Sequence, residues 1–232
     1  MRKQIERIFI GMDSVHPSVY EVCKFSIQKH LRRDIPISPI NKFTVKDYDR
    51  KSDVYESTDF SFARFFVPQE SNFEGFSMFV DADFIFLEDV SQLFDVHELN
   101  TNFAVMCCKH NYYVPRSGMK MDGKVQSSFN RKNWSSLMLF NNEHPKIKTL
   151  NTSTINGQSG KFLHQFLYLE DDEIGGIPLN WNWLVGYYAE FPGFKPNAIH
   201  YTDGGPWLEK YKDCEYSSIY DTYRKEYEQQ SS

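Results

Sequence analysis

Asp81 and Asp83, separated by one alanine, are the residues whose type and spacing best suit chemistry. Residues 76–80 before them form a short run that is mostly apolar and aromatic, which predicts a buried strand rather than a helix. Because side chains alternate along extended backbone, both carboxylates are expected on the same side where the strand ends. Two like charges at that distance repel each other unless a cation, a shared proton or hydrogen-bond donors compensate them. A divalent ion, Mg²⁺ or Mn²⁺, is the simplest compensation; two carboxylates that cap turns are the alternative.

A further candidate ligand lies late in the chain, in residues 199–207 (IHYTDGGPW). His200 offers an imidazole ligand, and the tandem glycines Gly204 and Gly205 let backbone approach a phosphate closely. A histidine with only a structural role is the alternative. The indoles of Trp181 and Trp183 either stack on a sugar or belong to the core.

The hydrophobic pattern predicts the elements that must position these residues. Apolar runs predict strands at 7–10, 76–80, 103–108 and 135–140, with an extended edge at 35–40. Helical patterns cover a segment that begins at Pro17 and the ranges 60–67 and 161–169. Ser18 and Glu21 are expected to form a capping box, and Pro68 is expected to stop the second helix. The β-α-β-α-β order indicates a mainly parallel sheet with its ligand crevice at the carboxyl ends of the strands, where Asp13 and Asp81 fall.

Composition excludes several classes of protein. The chain has 232 residues and a net charge of −5, and its scattered Lys and Arg form no basic stripe for a nucleic acid. It contains no apolar run of the roughly 18–20 residues that span a bilayer. The basic start leads to only a short apolar segment, so no signal peptide is predicted. Four cysteines without a CxxC pair suit reduced thiols, which predicts a cytoplasmic protein.

Taken together and in this order, the segments from Ile8 to Trp207 resemble a family of retaining glycosyltransferases. This is family eight, the glycogenin and lipopolysaccharide-galactosyltransferase group with the GT-A fold. The strand that ends before Asp13 resembles the family's uracil-contacting start. Residues 58–66 (TDFSFARFF) resemble its T-Y-A-R-like helix, whose arginine, here Arg64, lies against the donor.

Two more segments carry the resemblance. Residues 79–83 (FVDAD) resemble the metal-binding L-D-x-D segment, and residues 200–207 resemble the late loop whose histidine completes the metal site. The resemblance implies that Asp83 and His200 hold Mn²⁺ or Mg²⁺, with Asp81 as a further ligand or as a bridge to ribose. The residues that it implies for donor binding are Asp13, Arg64, Asp81, Gly204 and Gly205.

The resemblance also implies an architecture and partners. We expect an α/β protein with the GT-A nucleotide-diphospho-sugar transferase fold, a twisted, mainly parallel sheet flanked by helices. Residues 1–232 are expected to form one catalytic domain that ends in a helical segment, 208–232. The expected partners are a nucleotide sugar, most simply a UDP-sugar, and a glycan or lipid-linked sugar acceptor. The sequence does not specify the donor sugar, the acceptor or the oligomeric state.

The chain departs from the family at three places. Gly205 stands where the family has the lysine that reaches the pyrophosphate, residues 134–136 (WSS) replace Asn-Ser-Gly, and His164-Gln165 replaces Asp-Gln. We expect Gly205→Lys to be tolerated in an exposed loop and to tighten UDP binding. Replacement of Gly204 is expected to weaken it, since this glycine is expected to need positive φ.

The implied reaction is metal-assisted hexosyl transfer with retention by front-face attack. Gln165 is the positional match for the group that stabilises the oxocarbenium-like centre, although an amide is a poor nucleophile. Arg64 is expected to bind a phosphate or to orient Asp81; a helix arginine paired with a nearby carboxylate is the alternative. Two other classes stay open: a non-catalytic nucleotide-sugar or carbohydrate-binding protein, and a Mg²⁺-dependent phosphohydrolase, whose aspartyl motif resembles residues 80–83 but normally opens the chain.

The tail carries tyrosines at helical spacing: Tyr216, Tyr220, Tyr223 and Tyr227. We expect this stripe to pack back on the domain, because the charges around it are mixed. Docking on a partner or at the periphery of a membrane is the alternative.

Overall fold

In the protein, short apolar runs form strands and amphipathic segments form helices. The structure is a computed structural model that describes residues 5–51, 56–98, 102–110, 131, 133–188 and 193–231. In chain order the elements are β1 (Glu6–Gly11), α1 (Pro17–His30), β2 (Ile37–Ile40), α2 (Val67–Glu70), β3 (Phe76–Val80), β4 (Phe84–Phe86), α3 (Gln92–Glu98), β5 (Val105–Cys107), β6 (Leu137–Asn141), α4 (Thr152–Gly157), α5 (Gly160–His164), β7 (Ile174–Gly176), β8 (Trp183–Leu184), β9 (Ala198–His200) and α6 (Ser217–Gln230).

Six strands form the main sheet, in the order β2-β1-β3-β6-β5-β7. β1 pairs in parallel with β2 and β3, and β5 pairs in parallel with β7. β6 runs antiparallel to both of its neighbours, β3 and β5. The sheet is therefore mixed, yet of these strands only β6 opposes the common direction. The predicted α/β class is confirmed, and the carboxyl ends of β1, β2, β3, β5 and β7 share one edge of the sheet, here called the carboxyl edge.

A second sheet, which the sequence did not predict, has three strands in the order β4-β9-β8. β4 begins directly after Asp83, and its first residue, Phe84, pairs with His200 of β9. The N–H of Tyr201 donates a hydrogen bond to the backbone carbonyl of Asp83 (2.9 Å). This register carries the late histidine to the end of β3.

The start of α1 agrees with the sequence in part. Pro17 occupies the first turn, as predicted. The predicted capping box is wrong: His16 precedes the helix without a side-chain cap, so Ser18 already lies inside the first turn. One side of the helix is buried, with Val19, Val22, Cys23 and Ile27 among its members.

The helical segment around Arg64 differs from its prediction. A 3₁₀-helix, Ala63–Phe66, runs directly into α2, which contains Pro68. The predicted stop at Pro68 is wrong because proline is tolerated in the first turn of a helix, where its missing N–H would have no partner. The helix predicted at 161–169 is shorter, since α5 ends at His164 and Phe166 has a φ of 52°.

The C-terminal helix α6 packs on α1. The ring of Tyr223 contacts Phe25 edge-on (centroids 6.4 Å apart), and its hydroxyl lies 2.7 Å from Nε2 of His30. Tyr220 and Tyr223 are buried, so the predicted packing of the tyrosine stripe is confirmed for these two residues. None of the described helices is both long enough and apolar enough to cross a bilayer.

Candidate functional site

Two carboxylates and one imidazole meet at the carboxyl edge. One oxygen each from Asp81 and Asp83 and one ring nitrogen of His200 all lie within 4.8 Å of one another. The N–H of Asp81 donates to the carbonyl of Ser136 (2.9 Å), which fixes the chain where β3 ends. The structure thus places three predicted ligands, from two distant parts of the sequence, side by side.

A chain of hydrogen bonds fixes the orientation of His200, whose buried ring stacks on Phe84 (centroids 4.2 Å apart). Ser136 donates to the carbonyl of Asn133 (2.7 Å), so its hydroxyl oxygen accepts from the amide nitrogen of Asn182 (2.9 Å). The amide oxygen of Asn182 therefore faces Nδ1 of His200 (2.8 Å) and accepts a hydrogen bond from its N–H. The imidazole carries a proton on Nδ1, and Nε2 points away from Asn182.

Nε2 of His200 lies 3.3 Å from Oδ1 of Asp83. A neutral imidazole with its proton on Nδ1 presents an electron pair here, opposite those of the carboxylate. Oδ1 of Asp83 is buried and accepts no hydrogen bond from the described residues. Facing electron pairs need a cation or a proton between them. Carboxylate oxygens and an imidazole nitrogen are ligands that suit Mn²⁺ or Mg²⁺, so the residues present fit a divalent ion.

Arg64 is a buried cation beside this group. Its Nη1 lies 2.9 Å from Oδ1 of Asp81 and donates to the carbonyl of Ser135 (2.8 Å), while Nε donates to the carbonyl of Ser61 (3.0 Å). The guanidinium also lies 4.8 Å from the centre of the Phe79 ring. Burial lowers the pKa of Arg64, and the Asp81 carboxylate opposes that shift. This ion pair is common to two of the interpretations of Arg64, an arginine that orients Asp81 and a helix arginine with a carboxylate partner.

The glycine loop is constrained at both glycines. Gly204 has a φ of +124°, as expected, and a Cβ there would lie 2.7 Å from Cε2 of Tyr211. Its N–H already donates to the carbonyl of Tyr201 (2.8 Å). A Cβ on the buried Gly205 would lie only 2.2 Å from Cζ3 of Trp207. The expectation that Gly205→Lys fits in an exposed loop is therefore wrong, because the indole fills that space.

Asp13 and Asp59 lie in neighbouring loops at the carboxyl edge. Asp13 follows β1 and accepts from the N–H of Val15 (3.0 Å). Asp59 accepts from the N–H of Ser14 (3.0 Å) and from its hydroxyl, and it pairs with Nζ of Lys42 (2.9 Å). Burial would raise the pKa of Asp59, but the bonds from Ser14 and Lys42 hold it below its usual value. Asp59, Ser14 and Lys42, here called the Asp59 clamp, join the loop after β1 to the loop after β2.

Gln165 is buried directly after α5. Its carbonyl accepts from Nη1 of Arg131 (2.6 Å). The preceding residue, His164, has Nδ1 2.8 Å from the hydroxyl of Ser135, whose carbonyl binds Arg64. His164 and Ser135 therefore form a hydrogen-bonded route from α5 to Arg64.

Sequence reasoning missed Asn182 and Ser136. Both are buried and together they orient His200. The flanking Trp181 and Trp183 are buried as well, which agrees with the alternative that they belong to the core. A polar amide between two buried indoles was the available signal, because a buried amide must find partners.

Comparison with known proteins supports the fold. No protein-family model matches the chain. Its structure is similar to that of WbbM, a bifunctional glycosyltransferase (TM-score 0.59, 17% identity), and of the glycosyltransferase GlyE in Streptococcus pneumoniae TIGR4 (0.63, 17%). These matches cover 96% and 95% of this chain but only 50% and 60% of those chains. An active-site mutant of LgtC matches over 94% of this chain and 95% of its own (0.59, 11%). Identities this low show a shared fold, so the predicted GT-A fold is confirmed.

One relative is similar in sequence as well. Protein CDI from Arabidopsis thaliana is 42% identical over 231 residues, which cover 97% of this chain and 88% of that protein. Such identity over nearly the whole chain leaves no room for a chance match. The chain therefore belongs to the family of Protein CDI.

Proposed function

We propose that the protein is a metal-dependent glycosyltransferase that moves a hexosyl group from a nucleotide sugar, most simply a UDP-sugar, to a sugar acceptor. The observation that carries this proposal is the Asp81–Asp83–His200 group, in which Nε2 of His200 lies 3.3 Å from the buried Oδ1 of Asp83. Its place at the carboxyl edge is where ligands bind in open α/β sheets. The fold shared with GlyE, WbbM and LgtC supports the same reading.

Each residue of the site has a proposed task. Asp81, Asp83 and His200 hold Mn²⁺ or Mg²⁺, and the bound ion offsets the negative charge that grows on the departing diphosphate. Arg64 keeps Asp81 in position through their ion pair. Asp13, Gly204 and Gly205 border the donor, with Asp13 on the base side. Because the N–H of Gly204 is already used, the loop contributes its shape more than its hydrogen bonds.

We further propose transfer with retention by front-face attack. The acceptor hydroxyl approaches the anomeric carbon from the side of the leaving diphosphate, the new C–O bond forms as the old one breaks, and the hydroxyl proton passes to the departing phosphate oxygen. Gln165 stabilises the positively charged sugar from the opposite face by its amide oxygen. An amide is too weak a nucleophile for the covalent route that carboxylates take.

The expected acceptor is a glycan or a lipid-linked sugar, and residues 1–232 are proposed to act as one catalytic domain. We propose a cytoplasmic location, either free or peripheral to a membrane. The four cysteines support it, since all are unpaired and Cys23, Cys107 and Cys108 are buried.

Calorimetry with UDP tests the site. UDP is titrated in Mn²⁺ and in EDTA, into the native protein, into Asp83→Ala and into Asp213→Ala, a control at an exposed aspartate. We expect tighter binding in Mn²⁺ for the native protein and the control, and no difference for Asp83→Ala. Equal UDP affinity in both buffers for the native protein would remove the metal from the proposal.

A non-catalytic nucleotide-sugar binder is the second candidate, and Gly205 favours it, because the family's lysine is missing there. Release of UDP from a panel of UDP-hexoses, with Mn²⁺ and with methyl glycosides as acceptors, separates the two candidates. Metal-dependent binding of a UDP-hexose without any release of UDP would support the binder.

A further inference from the structure

Three aromatic residues, His110, Trp183 and Tyr188, lie next to the candidate site and are here called the Tyr188 cluster. Nδ1 of His110 lies 2.5 Å from the hydroxyl of Tyr188. The indole of Trp183 packs against the ring of Tyr188 (centroids 4.9 Å apart) and against Phe194 (4.3 Å). His110 and Trp183 are each only 4% exposed, whereas Tyr188 is half-buried. The cluster thus has a closed interior and one ring that reaches solvent.

The fold ties this cluster to the Asp81–Asp83–His200 group. Trp183 directly follows Asn182, which orients His200, and Leu184 pairs with His200 across the small sheet. His110 lies just beyond β5, at the carboxyl edge. Burial first, and then nearby His200, lower the pKa of His110 to about 3, so its imidazole is neutral. The cluster therefore lies at the same edge of the main sheet as the candidate metal ligands.

Two polar atoms of the cluster are buried without a hydrogen bond. In the described part of the chain, neither Nε2 of His110 nor Nε1 of Trp183 has a partner. An unpaired buried polar atom destabilises the folded state, so such atoms usually mark a missing water, ion or ligand. The indole nitrogen can only donate, whereas Nε2 of a neutral imidazole donates or accepts according to its tautomer. A ligand that satisfies both needs at least one acceptor and one further hydrogen-bonding group.

We propose that the Tyr188 cluster binds a sugar ring through its hydroxyl groups. A sugar hydroxyl accepts from Nε1 of Trp183, another pairs with Nε2 of His110, and the half-exposed ring of Tyr188 covers the C–H face of the sugar. The choice of a sugar rests on the proposed function, since a glycosyltransferase must hold two of them. The same chemistry fits the hexosyl group of the donor and the ring of the acceptor, and the test separates the two.

The test uses two variants, His110→Phe and Trp183→Phe. Each keeps an aromatic ring at its position and removes the ring nitrogen that would bind the sugar. Trp181→Phe is the matched control, because it makes the same change at an equally buried indole two residues away. Calorimetry compares UDP, UDP-glucose and UDP-galactose in Mn²⁺. Saturation-transfer NMR measures methyl glucoside and methyl galactoside, both with and without UDP and Mn²⁺.

For both ring variants we expect UDP affinity within about twofold of the native protein, as for Trp181→Phe. If the donor sugar occupies the cluster, the gain in affinity of a UDP-hexose over UDP falls by about three- to tenfold per variant, the worth of one hydrogen bond. If the acceptor occupies it, that gain is unchanged and methyl glycoside binding falls by the same factor.

The proposal is overturned if every sugar binds the ring variants as well as it binds the native protein, or if the native protein binds no sugar at all. Loss of UDP affinity together with sugar affinity also overturns it, since that pattern reports a disturbed Asn182–His200 contact. A native protein that binds methyl glycosides through His110 but no UDP supports the cluster and contradicts the nucleotide-sugar function. If a ring variant fails to fold in a thermal melt, Tyr188→Leu replaces it; it removes the half-exposed ring that is proposed to cover the sugar and is expected to show the same selective loss.

Discussion

Nη1 of Arg64 lies 2.9 Å from Oδ1 of Asp81, and both side chains are largely shielded from water. The ion pair joins the 3₁₀-helix before α2 to the end of β3. Removing one partner of such a pair leaves a buried charge without compensation, which is strongly destabilising. The position of Asp81, and with it the candidate metal site, therefore depends on the guanidinium.

Arg64→Lys is expected to lower turnover by about a hundredfold, as for the loss of one preorganised donor. An ammonium can keep the ion pair with Asp81, but it cannot also reach the carbonyls of Ser61 and Ser135 with the geometry of the planar fork. Initial rates of UDP release and a thermal melt measure the change. Arg224→Lys, at exposed ion pairs with Asp221 and Glu228 within α6, is the control and is expected to change neither quantity noticeably. A folded Arg64→Lys protein with native turnover would make the guanidinium geometry unimportant.

Asn182→Ala is expected to weaken Mn²⁺-dependent UDP binding by about 10- to 100-fold, the usual effect of losing a group that orients a metal ligand. The substitution removes the hydrogen-bond acceptor at Nδ1 of His200, so neither the tautomer nor the orientation of the ring is fixed any longer. Asn180→Ala is the matched control, because no described residue hydrogen-bonds the buried amide oxygen of Asn180. Calorimetry in Mn²⁺ gives both affinities. The idea fails if the two alanine variants behave alike.

Gly205→Ala is expected to destabilise the fold by about 1–3 kcal/mol, because its Cβ collides with the indole of Trp207. Gly204→Ala is expected to cost a similar amount through its positive φ. On a Trp207→Leu background the cost of Gly205→Ala should shrink, whereas the cost of Gly204→Ala should stay the same. Urea unfolding of the single and double variants measures this coupling.

Gly176→Ala is the control for these glycine variants, since a Cβ there meets nothing within 4 Å. It is expected to leave stability nearly unchanged. Equal stability of Gly205→Ala and Gly176→Ala would show that the loop adapts without cost.

Asp59→Asn is expected to destabilise the protein at neutral pH and to lose that effect in acid. Bonds from Ser14 and Lys42 hold the pKa of Asp59 below its ordinary value of 3.8. A depressed carboxyl pKa contributes stability that is complete above the unfolded pKa and is lost as pH falls through the folded one. The difference in unfolding free energy between native and variant protein should therefore be constant above about pH 5 and shrink below about pH 4. Urea unfolding across that range checks it; a constant difference down to about pH 3 would contradict the clamp.

The sequence predicted the site better than it predicted its surroundings. The apolar run before Asp81 and the order of elements were enough to place both aspartates at the carboxyl edge, because strand alternation and sheet direction follow from pattern alone. The meeting of Asp83 with His200 depended on a family resemblance, since the small sheet that joins them has short strands with little periodicity. Asn182, which bonds His200, and Ser136, which bonds Asn182, are brought there by tertiary contacts that no local pattern encodes.

The space above Gly205 shows the same limit. Whether a larger residue fits there depends on the side chain two positions later, because the indole of Trp207 turns back over the glycine. Similarly, Pro68 was expected to end a helix, but its effect depends on whether it falls in the first turn or the interior. Local rules describe what each residue type prefers, but its neighbours in three dimensions decide which preference is realised.

The indole over Gly205 also restricts the evolutionary routes open to this chain. A side chain introduced at residue 205 would enter a space that the indole already fills, so it would have to displace the ring. Trp207 would have to change first, yet its ring packs on Tyr201 and on Tyr220 of α6 (centroids 5.9 and 5.2 Å away). A larger residue at position 205 therefore requires compensating changes at Trp207 and at the rings that pack on it, so no single substitution can place a long side chain there without disturbing the contact with α6.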